Sequence, residues 1–264
     1  MPKVSAQDVQ ALRRATGAGM LDCKRALEEN DGDMESAKKW LREKGLAGAA
    51  KRADREATQG AVAIGQAPGS AAVVELRCET DFVAMSEAFV SLDSRLADAV
   101  AAKGEEAAKE SEGDIDELNT TLKENISVGH VVRFALADGG TLGTYLHVQS
   151  GRGVNAVLVE MTGTDDELAH DVAVHIAFAR PTYLRREDVP EEEIAAERAT
   201  VETISRNEGK PEAALPKVVE GRMNGWFKER CLLEQPYAKD EKRTIGDLIG
   251  SAEVVRFAQI VVGG

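Results

Sequence analysis

The eleven residues AVVELRCETDF at 72–82 lie over AVLVEMTGTDD at 156–166 without a gap. In each copy an apolar run with the character of a strand leads into Thr-Asp and then into a stretch of helical periodicity. A chain that carries this unit twice is steered toward a duplicated α+β core, because each strand buries its apolar face under the helix that follows it. Residues 72–103 and 156–180 are therefore expected to share one strand-to-helix order.

The repeat makes one position conspicuous. Thr80 aligns with Thr164 and Asp81 with Asp165, but Phe82 faces Asp166. The shared Thr-Asp has a local explanation, since either residue can accept hydrogen bonds from the free N–H groups of a first helical turn. Phe82 has none of that kind. It is either a staple or core residue, or an exposed aromatic wedge that fills a partner's pocket.

Around the repeat the chain changes character several times. Ser5 with Asp8 reads as a helix start carrying Val9, Leu12 and Arg13, with Gly17 and Gly19 as the break. A second helix runs from Met20 to Asn30, and Asp33 caps a third from Met34 to Lys44, with Gly45 as its stop. Three helices of this length make a small bundle over residues 1–45. Residues 46–58 read as a basic connector. Strand-like runs follow at Ala61–Ile64 and Ala72–Leu76, then helical patterns at Ser86–Ala102 and 114–127. Asp138-Gly139-Gly140, between Val131–Leu136 and Thr141–Val148, reads as a hairpin turn. After the second repeat helix, residues 188–230 carry apolar stripes through Ile194, Val201 and Ile204, then Leu215, Val219, Met223 and Trp226. With the Gly209-Lys210-Pro211 turn between them, they predict an antiparallel helical hairpin. Glu253–Val262 reads as a final strand. The expected division is a three-helix module at 1–45, a linker at 46–58, core subdomains at 59–138 and at 139–187 with 231–264, and the hairpin at 188–230.

Composition narrows the function. The net charge of −13 disfavours binding to a phosphate backbone, so no direct nucleic-acid partner is expected. Charge is uneven: 38–55 holds seven Lys and Arg against two acids, and 105–124 holds eight acids against two lysines, both readable as solvated faces. Three dispersed cysteines without a CxxC suit free thiols in a reducing compartment. No 18-residue apolar run and no leader pattern is seen, so a cytoplasmic, membrane-free protein is expected.

Chemistry-bearing motifs are scarce. GRGVNA at 151–156 fits GxGxxA, but a strand-like run follows it where a dinucleotide site needs a helix, so it reads as a turn. His170 and His175 are five apart, about 140° around a helix, which does not make a shared metal site. His147 ends a strand and reads, on its residues alone, as structural. No cofactor and no catalytic activity of its own are expected; a protein-binding role is.

TGAGMLDCKRAL at 16–27 and ETDFVA at 79–84 resemble the two signature segments of bacterial elongation factor Ts. The resemblance continues through the His147 strand, the His170–Pro181 helix and EGRM at 220–223, in order along the whole chain. One mild departure is Leu21, where relatives often carry a second Met. The resemblance implies a ubiquitin-associated-like N-terminal domain, two core subdomains and a coiled-coil hairpin. It implies a nucleotide exchange factor whose partner is the GTPase elongation factor Tu. Arg13, Met20, Leu21 and Lys24 would dock on the GTPase domain. Thr80, Asp81, Phe82 and Val83 would form the segment pressed beside the Mg²⁺ and nucleotide site, and His147 would belong to a second contact. The hairpin is a candidate dimerisation element within a 2:2 complex. An adaptor that binds ubiquitin-like folds is the competing reading, against which the ETDFVA segment and the duplicated core count.

Overall fold

In a computed structural model describing residues 4–16, 18–50, 52 and 54–264, Ser5 does open a helix. Its hydroxyl accepts from the Asp8 amide at 3.1 Å while the Asp8 carboxylate takes the Ser5 amide at 3.3 Å, a reciprocal cap for α1 (Ala6–Thr16). The expected break at Gly17, together with Lys51 and Ala53 of the connector, lies outside the described residues. Helix α2 (Met20–Glu29) and α3 (Met34–Ala50) complete the three-helix module, with Asp33 capping α3 through the Ser36 amide at 2.8 Å. Leu12, Cys23, Ala26, Leu27 and Ala37 form its small core.

Gly45 is not the stop expected of it. Helix α3 passes through it to Ala50, so the connector starts inside a helix. A Cβ at Gly45 would run into the Thr120 side chain of α7 (Glu112–Leu122). The glycine serves close helix–helix approach rather than termination.

Strands β1 (Gln59–Ala67) and β2 (Ser70–Cys78) pair antiparallel from Gln59↔Cys78 to Ala67↔Ser70. Pro68 and Gly69, the latter at φ +72°, make the two-residue turn between them. The turn helix α4 (Asp81–Ala84) and the long helix α5 (Glu87–Lys103) follow. Phe89, Leu92, Leu96, Ala97 and Val100 of α5 bury against Ala63, Val74 and Leu76 of the hairpin. Gly65 lies so close to the Ala97 backbone that no side chain would fit. The short α6 (Ala107–Glu110) and then α7 lead to β3 (Ser127–Ala135), which joins the sheet in the order β1-β2-β3. The helix expected at 114–127 therefore starts two residues earlier and ends at Leu122, where Lys123 turns left-handed at φ +60°.

The hairpin expected around Asp138-Gly139-Gly140 is not one. Strand β3 pairs with β2, and β4 (Gly140–Gln149) pairs with β5 (Arg152–Thr162) in a second sheet ordered β4-β5-β8. The Gly-rich turn is a link between sheets. The true hairpin turn is Ser150-Gly151, whose positive φ values of 53° and 80° suit a two-residue loop, as expected for the GRGVNA segment.

Helix α8 (Asp166–Ala179) follows β5 and buries Val172, Ala173 and Ile176 against Val157, Val159 and Met161. Gly143 of β4 lies against the Ala169 backbone of α8, as Gly65 does against α5. Helices α9 (Glu191–Asn207) and α10 (Leu215–Arg230) pack together through Val201, Val219, Met223 and Phe227. Phe227, not Trp226, is the buried aromatic, and Ile204 is exposed. The alternative ring faces outward enough for Arg230 to lie over it. Strands β6 (Pro236–Tyr237) and β7 (Asp240–Thr244), helix α11 (Ile245–Ile249) and β8 (Glu253–Val261) end the chain. The fold is thus mixed α and β. The chain divides into two compact units, 1–133 with 148–154 and 260–264, and 134–147 with 155–259.

Candidate functional site

The ETDFVA segment begins where β2 ends. Thr80 is extended, at φ −124° and ψ 152°, and its hydroxyl oxygen accepts from the Val83 amide at 3.4 Å, capping α4. The Glu124 carboxylate, just after α7, accepts the Glu79 and Thr80 amides at 3.1 Å each and the Thr80 hydroxyl. Glu79 in turn accepts the Asn125 amide at 2.7 Å. Beneath the turn, the Cys78 thiol donates to the Thr80 carbonyl at 3.2 Å. Burial, reinforced by the Glu124 charge, pushes that thiol up to about 12, so it stays a neutral donor and no nucleophile. Val83 is half-buried on the core and Ala84 fully buried.

Thr80, Asp81 and Phe82 remain exposed, and of these Phe82 is the one large apolar side chain. The Phe82 ring is 80% exposed on a turn fixed at both ends. It is neither a staple nor a core residue. An aromatic so presented has already lost most of the backbone freedom that a partner would otherwise have to remove.

On the N-terminal module, α2 starts at Gly19 without any side-chain cap. Met20 and Leu21 are 52% and 83% exposed, and Lys24 is exposed and paired with Glu28 at 3.7 Å. Cys23, Ala26 and Leu27 occupy the other side of the helix, in the core. Arg13 is exposed on α1. The module therefore carries apolar and basic groups together on its surface.

His147 lies in the other unit, exposed on β4. The Tyr145 hydroxyl is 3.3 Å from its Nδ1, and the rings stack at 6.4 Å. The Tyr145 ring also lies 6.3 Å from that of His170, whose Nδ1 donates to the Thr144 carbonyl at 2.8 Å. Val148 beside it is exposed. His175, by contrast, is buried and bound to Gln235 at 3.0 Å, with burial lowering its pKa against that hydrogen bond. Among the described residues no three His, Cys, Asp or Glu side chains converge as metal ligands, and no helix is long and apolar enough to cross a membrane.

Sequence reasoning missed Glu124 and Tyr145, and placed Glu79 in the signature segment without a role. The Glu124 contact spans more than forty residues of sequence and leaves no local signal. Tyr145 could have been found, since it stands two residues before His147 on the same strand face.

The family model described as elongation factor TS matches residues 79–264. The chain is 46% identical to elongation factor Ts of Kineococcus radiotolerans over 277 aligned positions covering all of both chains. It is 46% identical to that of Clavibacter sepedonicus and 45% identical to that of Streptomyces griseus, again over the full length of each. A match that extends across both sheets, the paired helices and the N-terminal module leaves one assignment: this chain belongs to the elongation factor Ts family.

Proposed function

We propose that this protein promotes GDP release from the GTPase elongation factor Tu, so that GTP can reload. The observation that carries this reading is Phe82, a large aromatic ring held almost wholly in solvent on a turn clamped by Glu124 and capped by Thr80. In this reading Asp81 and Phe82 press beside the partner's Mg²⁺ and nucleotide site. Arg13, Met20, Leu21 and Lys24 dock on its GTPase domain, and His147 with its neighbours makes a second contact on another domain. Thr80 and Val83 flank Asp81 and Phe82 in the contact, and Thr80 also holds the turn through its bonds to the Val83 amide and to Glu124.

The physical basis is linkage. Factor and nucleotide share one protein and weaken each other by the same free energy. Each ~1.4 kcal/mol of coupling costs the nucleotide a factor of ten in affinity. A fixed wedge that fits only the distorted nucleotide site supplies that coupling without covalent chemistry, and it lets GTP expel the factor in return.

The architecture supports descent from a duplicated unit. Each sheet is a tight hairpin whose second strand runs through Thr-Asp into a helix, with a later strand alongside that second strand. Helices α9 and α10 would then be an insertion in the second copy, and they supply the dimer contact of a 2:2 assembly if one forms.

The test is release of labelled GDP from elongation factor Tu at saturating protein, with melting curves beside it. Wild type accelerates release. Phe82→Ala loses most of the acceleration while its melting temperature stays within a degree or two, because the ring leaves no cavity when removed. Normal release by a normally stable variant would remove Phe82 from the mechanism.

A further inference from the structure

We infer that Lys123 and Glu124 form a strut that fixes the Met20–Leu21 surface relative to the Asp81–Phe82 turn, which makes Lys123 a positioning residue for exchange. The inference rests on the exchange reading above and deepens it. All the residues involved belong to the first compact unit.

Lys123 ends α7 in the left-handed region, at φ +60°. Glycine adopts that backbone freely and a lysine does so reluctantly. The side chain accounts for the choice. Its ammonium reaches the Asp22 carboxylate of α2 at 3.1 Å, and Lys44 of α3 stands 3.7 Å from the same carboxylate. A Cβ built on Gly19 would lie 3.4 Å from the Asp22 Oδ2 and 3.9 Å from the Lys123 Nζ, so the ion pair sits against the turn that launches Met20 and Leu21. The next residue, Glu124, is the one that accepts the Glu79 and Thr80 amides. Asn119 locks the loop, donating to the Ile126 carbonyl at 3.1 Å and accepting its amide at 2.6 Å. Two successive side chains of one rigid loop thus hold the two surfaces that must engage a single partner.

An ion pair as exposed as this one, with Lys123 61% and Asp22 37% exposed, adds little to stability. Its effect lies elsewhere. Two contact surfaces act together with an effective concentration set by how stiffly they are joined, and the pair stiffens the joint.

The decisive variant is Lys123→Gly, which removes the ammonium and relieves the backbone. Its melting temperature should equal or exceed that of wild type. The concentration of protein giving half-maximal GDP release should nevertheless rise about two- to fivefold, with the maximal rate little changed. Lys123→Arg should restore the wild-type value, and Asp22→Asn should match Lys123→Gly without adding to it in the double variant. In the free protein, amide hydrogen exchange across residues 20–29 should quicken in Lys123→Gly and not in Lys123→Arg. Unchanged half-saturation, a loss that tracks a lowered melting temperature, or unchanged amide exchange would each overturn the strut. If wild type fails to accelerate GDP release, the exchange reading falls, and the amide-exchange comparison still decides the strut.

Discussion

Two carboxyl groups in the core of the first unit show how differently burial can act on one chemistry. Glu75 is buried, and burial pushes its pKa up. The hydrogen bonds from Arg77 and from the His130 amide and ring outweigh that and hold it below the usual range. Asp93, on α5, is only 1% exposed and its Oδ1 has no hydrogen-bond partner among the described residues. Burial, with the Glu75 charge adding to it, drives Asp93 well above the usual range. Between the ordinary carboxylate value and that raised value, the folded chain keeps a proton that the unfolded chain has released. Asp93 therefore costs stability progressively as pH rises above about 4. Asp93→Asn, close in shape and free of charge, should raise the melting temperature at pH 8, with the gain shrinking toward pH 4. A gain of the same size at both pH values would contradict a protonated Asp93.

Helix α2 shows how an element can be held by one side and still expose large apolar groups on another. Its buried side is Cys23, Ala26 and Leu27, so Met20 and Leu21 at its first turn contribute little to folding. Met20→Asp places a carboxylate at a helix N-terminus, where the dipole favours it, and should leave the melting curve intact. Affinity for elongation factor Tu in a titration should fall at least tenfold; unchanged affinity would make Met20 an idle surface residue. Much of this level of structure was legible in the chain. The caps at Ser5 and Asp33, the two repeat strands, α5, α8 and the last strand follow from local pattern. Where the reading failed, the competing force was tertiary. Gly45 reads as a stop only until α7 is known to press on it. The Asp138-Gly139-Gly140 turn reads as a hairpin only until β2 and β5 claim its flanking strands. Phe82 was singled out by its mismatch with Asp166, but whether it was buried or exposed depended on Glu124, far along the chain. Asp165 and Thr80 both cap a helix, as the shared Thr-Asp suggested, yet they do so one position out of step.

At the scale of the whole molecule, the chain has no metal cluster among its described residues and no thiol poised to react, and it presents three surface features of the kind a protein partner would read. These are the Met20–Leu21 surface, the Phe82 turn and the Tyr145–His147 strand. In the exchange function proposed above, all three act on one partner, with docking energy from the first and third spent on a distortion made by the second. Affinity and exchange should therefore separate under mutation. The most direct measurement is the equilibrium affinity of elongation factor Tu for GDP, at saturating wild type and at saturating Phe82→Ala. Wild type should weaken GDP binding by at least tenfold, about 1.4 kcal/mol of coupling, and Phe82→Ala should lose most of that weakening while still binding the GTPase. Equal weakening by both proteins would contradict the Phe82 wedge.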